Sequence, residues 1–202
     1  MLLHINPDNP QMRLIARVVE TLKQGGVIAY PTDTTYGIGC DIFNRRGVKN
    51  IYQIKQREAK KPFSFICADL SDAANYAQVS NFAFKIMKRH LPGPYTFVLD
   101  ATRIVPDSLT TRQKTVGIRI PADPIALAIV HELGHPLVTT SANLTGESPL
   151  HDPEEIQATM GRSLDLVVDG GIRYGDPSTV ISLIDDRIEV LREGCGDISW
   201  IE

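Results

Sequence analysis

GGVIAYPTDTTYGIG, residues 25–39, is where the reading of this chain turns. Gly25-Gly26 closes whatever precedes it, VIAY (27–30) reads as a short buried strand, and Pro31 breaks that strand. The remainder offers three threonine hydroxyls, the Asp33 carboxylate and two glycines that permit close backbone approach. On these residues alone two readings stand: the lining of a small polar ligand, or a turn whose hydroxyls satisfy their own backbone. Upstream, Leu14, Ile15, Val18, Val19 and Leu22 recur at helical spacing. Asp8 or Asn9 is the expected cap of that helix and Pro10 its first turn.

Downstream the pattern alternates. Gly47 to Gln56 is predicted helical and FSFIC (63–67) a strand. Asp69–Ala77 and Ser80–Leu91 are predicted helices, the second capped by Ser80, and YTFVLD (95–100) and TVGIRI (115–120) are strands. Asp123-Pro124 opens a helix to about Leu133. PLVTT (136–140) follows as a strand and Asp152-Pro153 opens the last helix. LDLVVD (164–169), STVISLI (178–184) and RIEVLRE (187–193) are strands with no helix between them. Helices thus interleave with strands until the end, which predicts an α/β fold on a mixed sheet in a single domain over residues 10–195. Neither the G-x-G-x-x-G nor the G-x-x-x-x-G-K-[ST] phosphate loop occurs, so a Rossmann or P-loop site has no support in the sequence.

A chain of 202 residues that is 43% hydrophobic and 22% charged suits one large domain with its own core. The N-terminus places Pro, Asp and Asn where a secretion signal would have its apolar centre, and no stretch reaches the ~20 apolar residues of a membrane span. A cytoplasmic protein without a membrane partner is expected. The three cysteines, Cys40, Cys67 and Cys195, form no C-x-x-C and suit a reducing compartment. The net charge of −3 is unevenly distributed. Residues 1–120 hold 17 Lys and Arg against 9 Asp and Glu, a net of +8, whereas residues 121–202 hold 4 against 15, a net of −11. The first part therefore suits an anionic partner, if the segregation in sequence is also one in space.

His131-Glu132-Leu133-Gly134-His135 spells the zinc-protease pattern, which needs both histidines on one helical face. Gly134 stops a helix and Pro136 disfavours helical backbone at His135, so no metal site is predicted. The remaining polar and charged stretches each leave two readings open, an anion site on one hand and solvated charges, salt bridges or self-capped loops on the other. Lys55, Arg57, Lys60 and Lys61 make QIKQREAKKPFSF (53–65) cationic. Lys55 and Arg57 lie two apart and converge on one target only if the helix ends near Gln56. TTSANLTG (139–146) leaves a strand with a row of small donors suited to phosphate oxygens. Arg119 and Arg192 end strands and suit bidentate binding of carboxylate or phosphate.

Seven stretches in order, GGVIAYPTDTTYGIG, IYQIKQR with its following KP, LPGPYTFVL, TVGIRIP, TTSANLTGE, PSTV and VLREG, resemble the YrdC/YciO family, which includes the threonylcarbamoyl-AMP synthases of tRNA modification. The resemblance implies a twisted mixed sheet of the YrdC-like type around a basic concave cleft. It also implies a nucleotidyltransferase reaction in which L-threonine and bicarbonate form a carbamate that attacks the α-phosphate of ATP, with Mg2+ accompanying ATP. By resemblance, Lys55 and Arg57 are the catalytic K-x-R pair at the phosphates. Lys61, Thr115, Ser141, Asn143 and Arg192 join them in binding ATP, while Thr34, Arg119, Thr139 and Thr179 lie by the threonine, Arg119 at its carboxylate. One departure matters: Glu58 follows Arg57 where the synthases usually place proline. The stretches around REAKKPFSFICADLS and VSNFAFKIMKRHLPGPYTFVL are more similar to the YciO branch. That branch implies the alternative of a double-stranded RNA or ribosome-associated partner without synthase activity.

Overall fold

Met12–Lys23 forms α1, and it starts later than its punctuation suggests. The Asn6 side-chain oxygen accepts from the Asp8 and Asn9 backbone N–H groups, so the expected cap residues are held in a turn. Pro10 stays outside and Gln11 occupies the N-cap without a side-chain capping bond, its Oε1 accepting instead from Asn6 N–H at 3.1 Å. Gly25 ends the segment at φ +86°, where a side chain would be strained. A computed structural model of the chain describes residues 1–55, 63–110, 113–144 and 146–201.

Among the described residues six α-helices surround ten strands of one mixed sheet. The strands are β1 Leu2–His4, β2 Ile28–Tyr30, β3 Gly37–Asp41, β4 Ser64–Ile66, β5 Tyr95–Asp100, β6 Thr115–Arg119, β7 Leu137–Ser141, β8 Leu166–Asp169, β9 Thr179–Ser182 and β10 Glu189–Arg192. Their order in space is β1-β8-β2-β3-β7-β4-β6-β5-β9-β10. The helices after α1 are α2 Arg45–Ile54, α3 Leu70–Tyr76, α4 Asn81–His90, α5 Pro124–Leu133 and α6 Pro153–Met160. Most caps are the expected ones: Ser80 accepts from Ala83 N–H, Asp123 from Ala126 N–H and Asp152 from Glu154 N–H. None of the helices among the described residues is long and apolar enough to cross a membrane.

Two strands have no counterpart in the sequence reading. β1 is a three-residue edge strand parallel to β8, too short to leave a pattern. β3 occupies Gly37–Asp41 and so takes the last three residues of the stretch read as a polar turn. Its glycines lower strand propensity, yet they are required. A Cβ at Gly39 would lie 2.8 Å from the Val138 carbonyl oxygen and 3.0 Å from the Tyr30 ring. Only Pro31 to Tyr36 remain as the loop between β2 and β3.

Strand alternation divides the core in two. Ile28 and Tyr30 face one side of the sheet with Ile66, Leu137, Leu166 and Val168, under the apolar residues of α1 and α5. Val27, Ala29, Phe65, Phe97, Ile118 and Val138 face the other side, under α2, α3, α4 and α6. Neither α1 nor α5 reaches the far half of the first side. There β3, β7, β4, β6, β5 and β9 present Gly37, Thr139, Ser64, Gly117, Thr96 and Val180 to an open cavity.

Candidate functional site

The cavity is about 710 Å³ and is floored by small residues. At Gly117 a Cβ would lie 2.7 Å from Ser64 Oγ and 3.1 Å from Thr96 Cγ2, so glycine keeps that floor low. Among the described residues the walls are Thr32, Thr35, Tyr36, Phe63, Thr140, Ser141, Pro177, Ser178 and Leu191, with Arg119 and Arg192 as lining cations and no lining carboxylate. Arg192 is pulled below the usual guanidinium range, first by burial and then by the charge of Arg119. Two cations that repel one another across a concave polar surface favour an anion between them.

Arg119 ends β6 and its guanidinium is held by the loop after β2. Nη2 donates to Asp33 Oδ1 at 2.6 Å, Thr34 Oγ1 at 2.8 Å and Thr32 Oγ1 at 3.2 Å. The hydroxyls of this loop satisfy their own backbone, as one of the two readings expects, and also hold a side chain. Thr32 Oγ1 donates to the Thr35 carbonyl at 2.6 Å and accepts from Thr34 N–H at 3.2 Å, and the same hydroxyls seat the arginine. The Asp33–Arg119 pair is nearly buried, yet Asp33 Oδ2 and Arg119 Nε have no hydrogen-bond partner. A buried charged atom without a partner is costly.

On the β7 side, α2 ends at Ile54 and Lys55 is its C-cap. The Lys55 side chain is 5% exposed. Its ammonium donates to the Ser141 carbonyl at 3.0 Å, the Asn143 carbonyl at 2.7 Å and the Asn143 side-chain oxygen. Ser141 Oγ donates to Asn143 Oδ1 at 2.7 Å, and Asn143 Nδ2 to the Glu147 carbonyl at 2.6 Å. Residues 86 and 88 positions apart are thus joined, and Lys55 holds the shape of the S-x-N loop.

The other expected residues distribute as follows. Thr34 lies behind Arg119, and Thr139 lines the cavity with its hydroxyl against Tyr30 Oη. Thr115 shares the face of Gly117 and Arg119 by strand alternation, beyond the lining. Thr179 points to the opposite face: it is fully buried, donates to the Gly196 carbonyl at 2.7 Å and accepts from Gly194 N–H at 3.1 Å. Its neighbour Ser178 takes the cavity position, where it accepts from Arg192 through its carbonyl at 2.7 Å and meets Thr96 Oγ1 at 2.9 Å. The period-two pattern of β9 carried that signal, since Ser178 and Val180 share a face. Arg57 and Lys61, with Glu58 and Lys60, lie outside the described residues.

α5 ends at Leu133 and Gly134 adopts φ 81°, so His135 follows the helix and does not share a face with His131. Among the described residues no group of three His, Cys, Asp or Glu is arranged to hold a metal. Burial pushes the thiols of Cys40, Cys67 and Cys195 up, against their use as thiolates.

Comparison with known proteins adds the following. The family model Sua5_yciO_yrdC, described as telomere recombination, matches residues 20–194. The uncharacterized protein YciO of Escherichia coli K12 is 44% identical over 197 residues, 96% of each chain. The crystal structure of E. coli YciO superposes with a TM-score of 0.94 over 98% of each chain at 43% identity. The threonylcarbamoyl-AMP synthase of Idiomarina loihiensis is 36% identical over 170 residues, 81% of this chain and 90% of the other. Sua5 of P. abyssi, solved with L-threonine, gives a TM-score of 0.90 at 28% identity over 96% of this chain, which spans 57% of that protein.

Proposed function

The chain belongs to the Sua5_yciO_yrdC family, and on that premise we propose that it forms threonylcarbamoyl-AMP from L-threonine, bicarbonate and ATP, for threonylcarbamoyladenosine modification of tRNA. The observation that carries this reading is the convergence on one cavity of the Arg119 seat, the Lys55-braced Ser141–Asn143 loop and Arg192, with no lining acid among the described residues. The threonine carboxylate pairs with Arg119, a match that suits a planar guanidinium. The threonine amine and bicarbonate give a carbamate and water. A carbamate oxygen then attacks the α-phosphorus of ATP, the bond to the β-phosphate oxygen breaks, and pyrophosphate leaves. Ser141 and Asn143 orient the phosphate oxygens and Arg192 offsets their charge, since such a transfer is accelerated chiefly by positioning and electrostatics. Among the described residues the lining holds no carboxylate to ligate Mg2+; the ion enters with ATP as part of the substrate.

The test is pyrophosphate release from ATP, bicarbonate and Mg2+, with and without threonine. Threonine-dependent release that disappears in a Lys55→Ala, Arg57→Ala double variant supports the reading. Release no higher than that of the variant overturns it. A second reading, RNA binding without synthase activity, rests on a different observation. α2 exposes Arg45, Arg46 and Lys49, α4 exposes Lys85, Lys88 and Arg89, and neither helix contains an acidic residue. It requires double-stranded RNA affinity that falls steeply with salt; weak, salt-insensitive binding removes it.

A further inference from the structure

Arg173 lies in the connection between β8 and β9 and has no part in the chemistry above. Its guanidinium uses all three nitrogens. Nε donates to the Thr32 carbonyl at 3.0 Å, Nη1 to the Gly170 carbonyl at 2.8 Å and Nη2 to Asp123 Oδ2 at 3.0 Å. Asp123 is 3% exposed and already caps α5 through its other oxygen. α5 is thus linked through Asp123 and Arg173 to Thr32. Thr32, Asp33 and Thr34 supply the three acceptors of Arg119 Nη2. The far end of the same loop is held from the same connection. Tyr36 Oη accepts from Gly170 N–H at 3.1 Å and donates to the Gly171 carbonyl at 2.9 Å. At Gly170 a Cβ would meet Ile125 and Pro31 at 2.7 and 2.8 Å, so the connection is pressed against both α5 and the start of the loop.

We infer that Arg173 is a positioning residue for the carboxylate-binding arginine: it holds residues 32–34 so that Arg119 is presented to an amino-acid substrate in one orientation. This rests on the reading of the cavity given above. The physical reason is the fork. A guanidinium satisfies two carbonyls and a carboxylate in one plane, whereas a lysine ammonium keeps the charge for Asp123 but not that planar geometry.

The experiment compares wild type with Arg173→Lys, and with Asp123→Asn as the second variant should the first not fold. Two readouts are taken after a melting curve: the 15N heteronuclear NOE of the Arg119 Nε–H group, and the separate KM values for threonine and ATP. The expected result for Arg173→Lys is a fall in the Arg119 NOE and a threonine KM raised about tenfold or more, with the ATP KM within about twofold. An unchanged Arg119 NOE overturns the inference, as does an equal rise in both KM values together with a lowered melting temperature, which marks a merely structural role. Failure of the functional reading looks different. Wild type then releases no threonine-dependent pyrophosphate, while the Arg119 NOE still decides whether Arg173 positions that side chain.

Discussion

Two halves of one sheet face are built from the same strands and do opposite things. On β4, Ile66 lies under α1 and α5 while Ser64, two residues back, floors the cavity. On β7, Leu137 is covered and Thr139 is open. The backbone hydrogen bonding is continuous across the change. What differs is side-chain size and polarity. Branched apolar residues draw helices onto one half to exclude water. Glycine, serine and threonine on the other half have too little apolar area to do so, and two arginines there keep the surface wet and positive. The difference teaches that small residues at alternate positions of β4, β6 and β7 leave the face open, while the loop of residues 31–36 supplies one wall.

This contrast can be broken from either side. The largest effect is expected for Arg119→Ala, which leaves the nearly buried Asp33 charge alone. A stability loss of about 3 kcal/mol or more in denaturant unfolding is expected, with loss of threonine binding by calorimetry. Ile129→Ala, at a fully buried position of α5 on the covered half, is expected to cost about 2–4 kcal/mol by the same unfolding measurement. Threonine affinity should stay unchanged. Gly117→Ala reverses that pattern. The new methyl displaces Ser64 Oγ, which can rotate away, so stability changes little while threonine binding weakens about tenfold, roughly 1.4 kcal/mol. Equal losses of stability and binding in Ile129→Ala and Gly117→Ala would show that the two halves are not separable.

The smallest effect concerns Tyr36 at the edge of the cavity. Burial pushes its hydroxyl from 10.0 up to about 12. Because the folded value is raised, the contribution to stability is fully present below pH 10 and is lost as the pH rises through about 12. Tyr36→Phe is expected to cost about 1 kcal/mol at pH 7 by removing the link to Gly170 and Gly171. It should also remove one late-titrating tyrosinate from the ultraviolet absorbance titration.

Much of this was legible in the chain. Punctuation by Ser80, Asp123-Pro124, Gly134 and Asp152-Pro153 placed helix ends, because capping depends on neighbours a few residues away. The same local reasoning separated His135 from His131. It failed at α1, where Asn6 captures the expected caps, and at β3, where glycines imposed by the Tyr30 ring and the Val138 carbonyl hid a strand. Both failures arise where a neighbour's geometry outweighs local propensity.

By itself the sequence determined the six helices and eight of the ten strands among the described residues, the mixed sheet, and the stretches from which the cavity is built. Only the tertiary structure decided which member of each stretch faces the cavity: Ser178 and not Thr179, and Lys55 bound to the Ser141–Asn143 loop. It also seated Arg119 on Asp33 and brought Arg173 to a carbonyl 141 positions away. The reason is that propensity and capping act over a turn or a strand step. The side of a sheet on which a hydroxyl emerges, and the charge it meets there, are set by strand register and by partners distant in the chain.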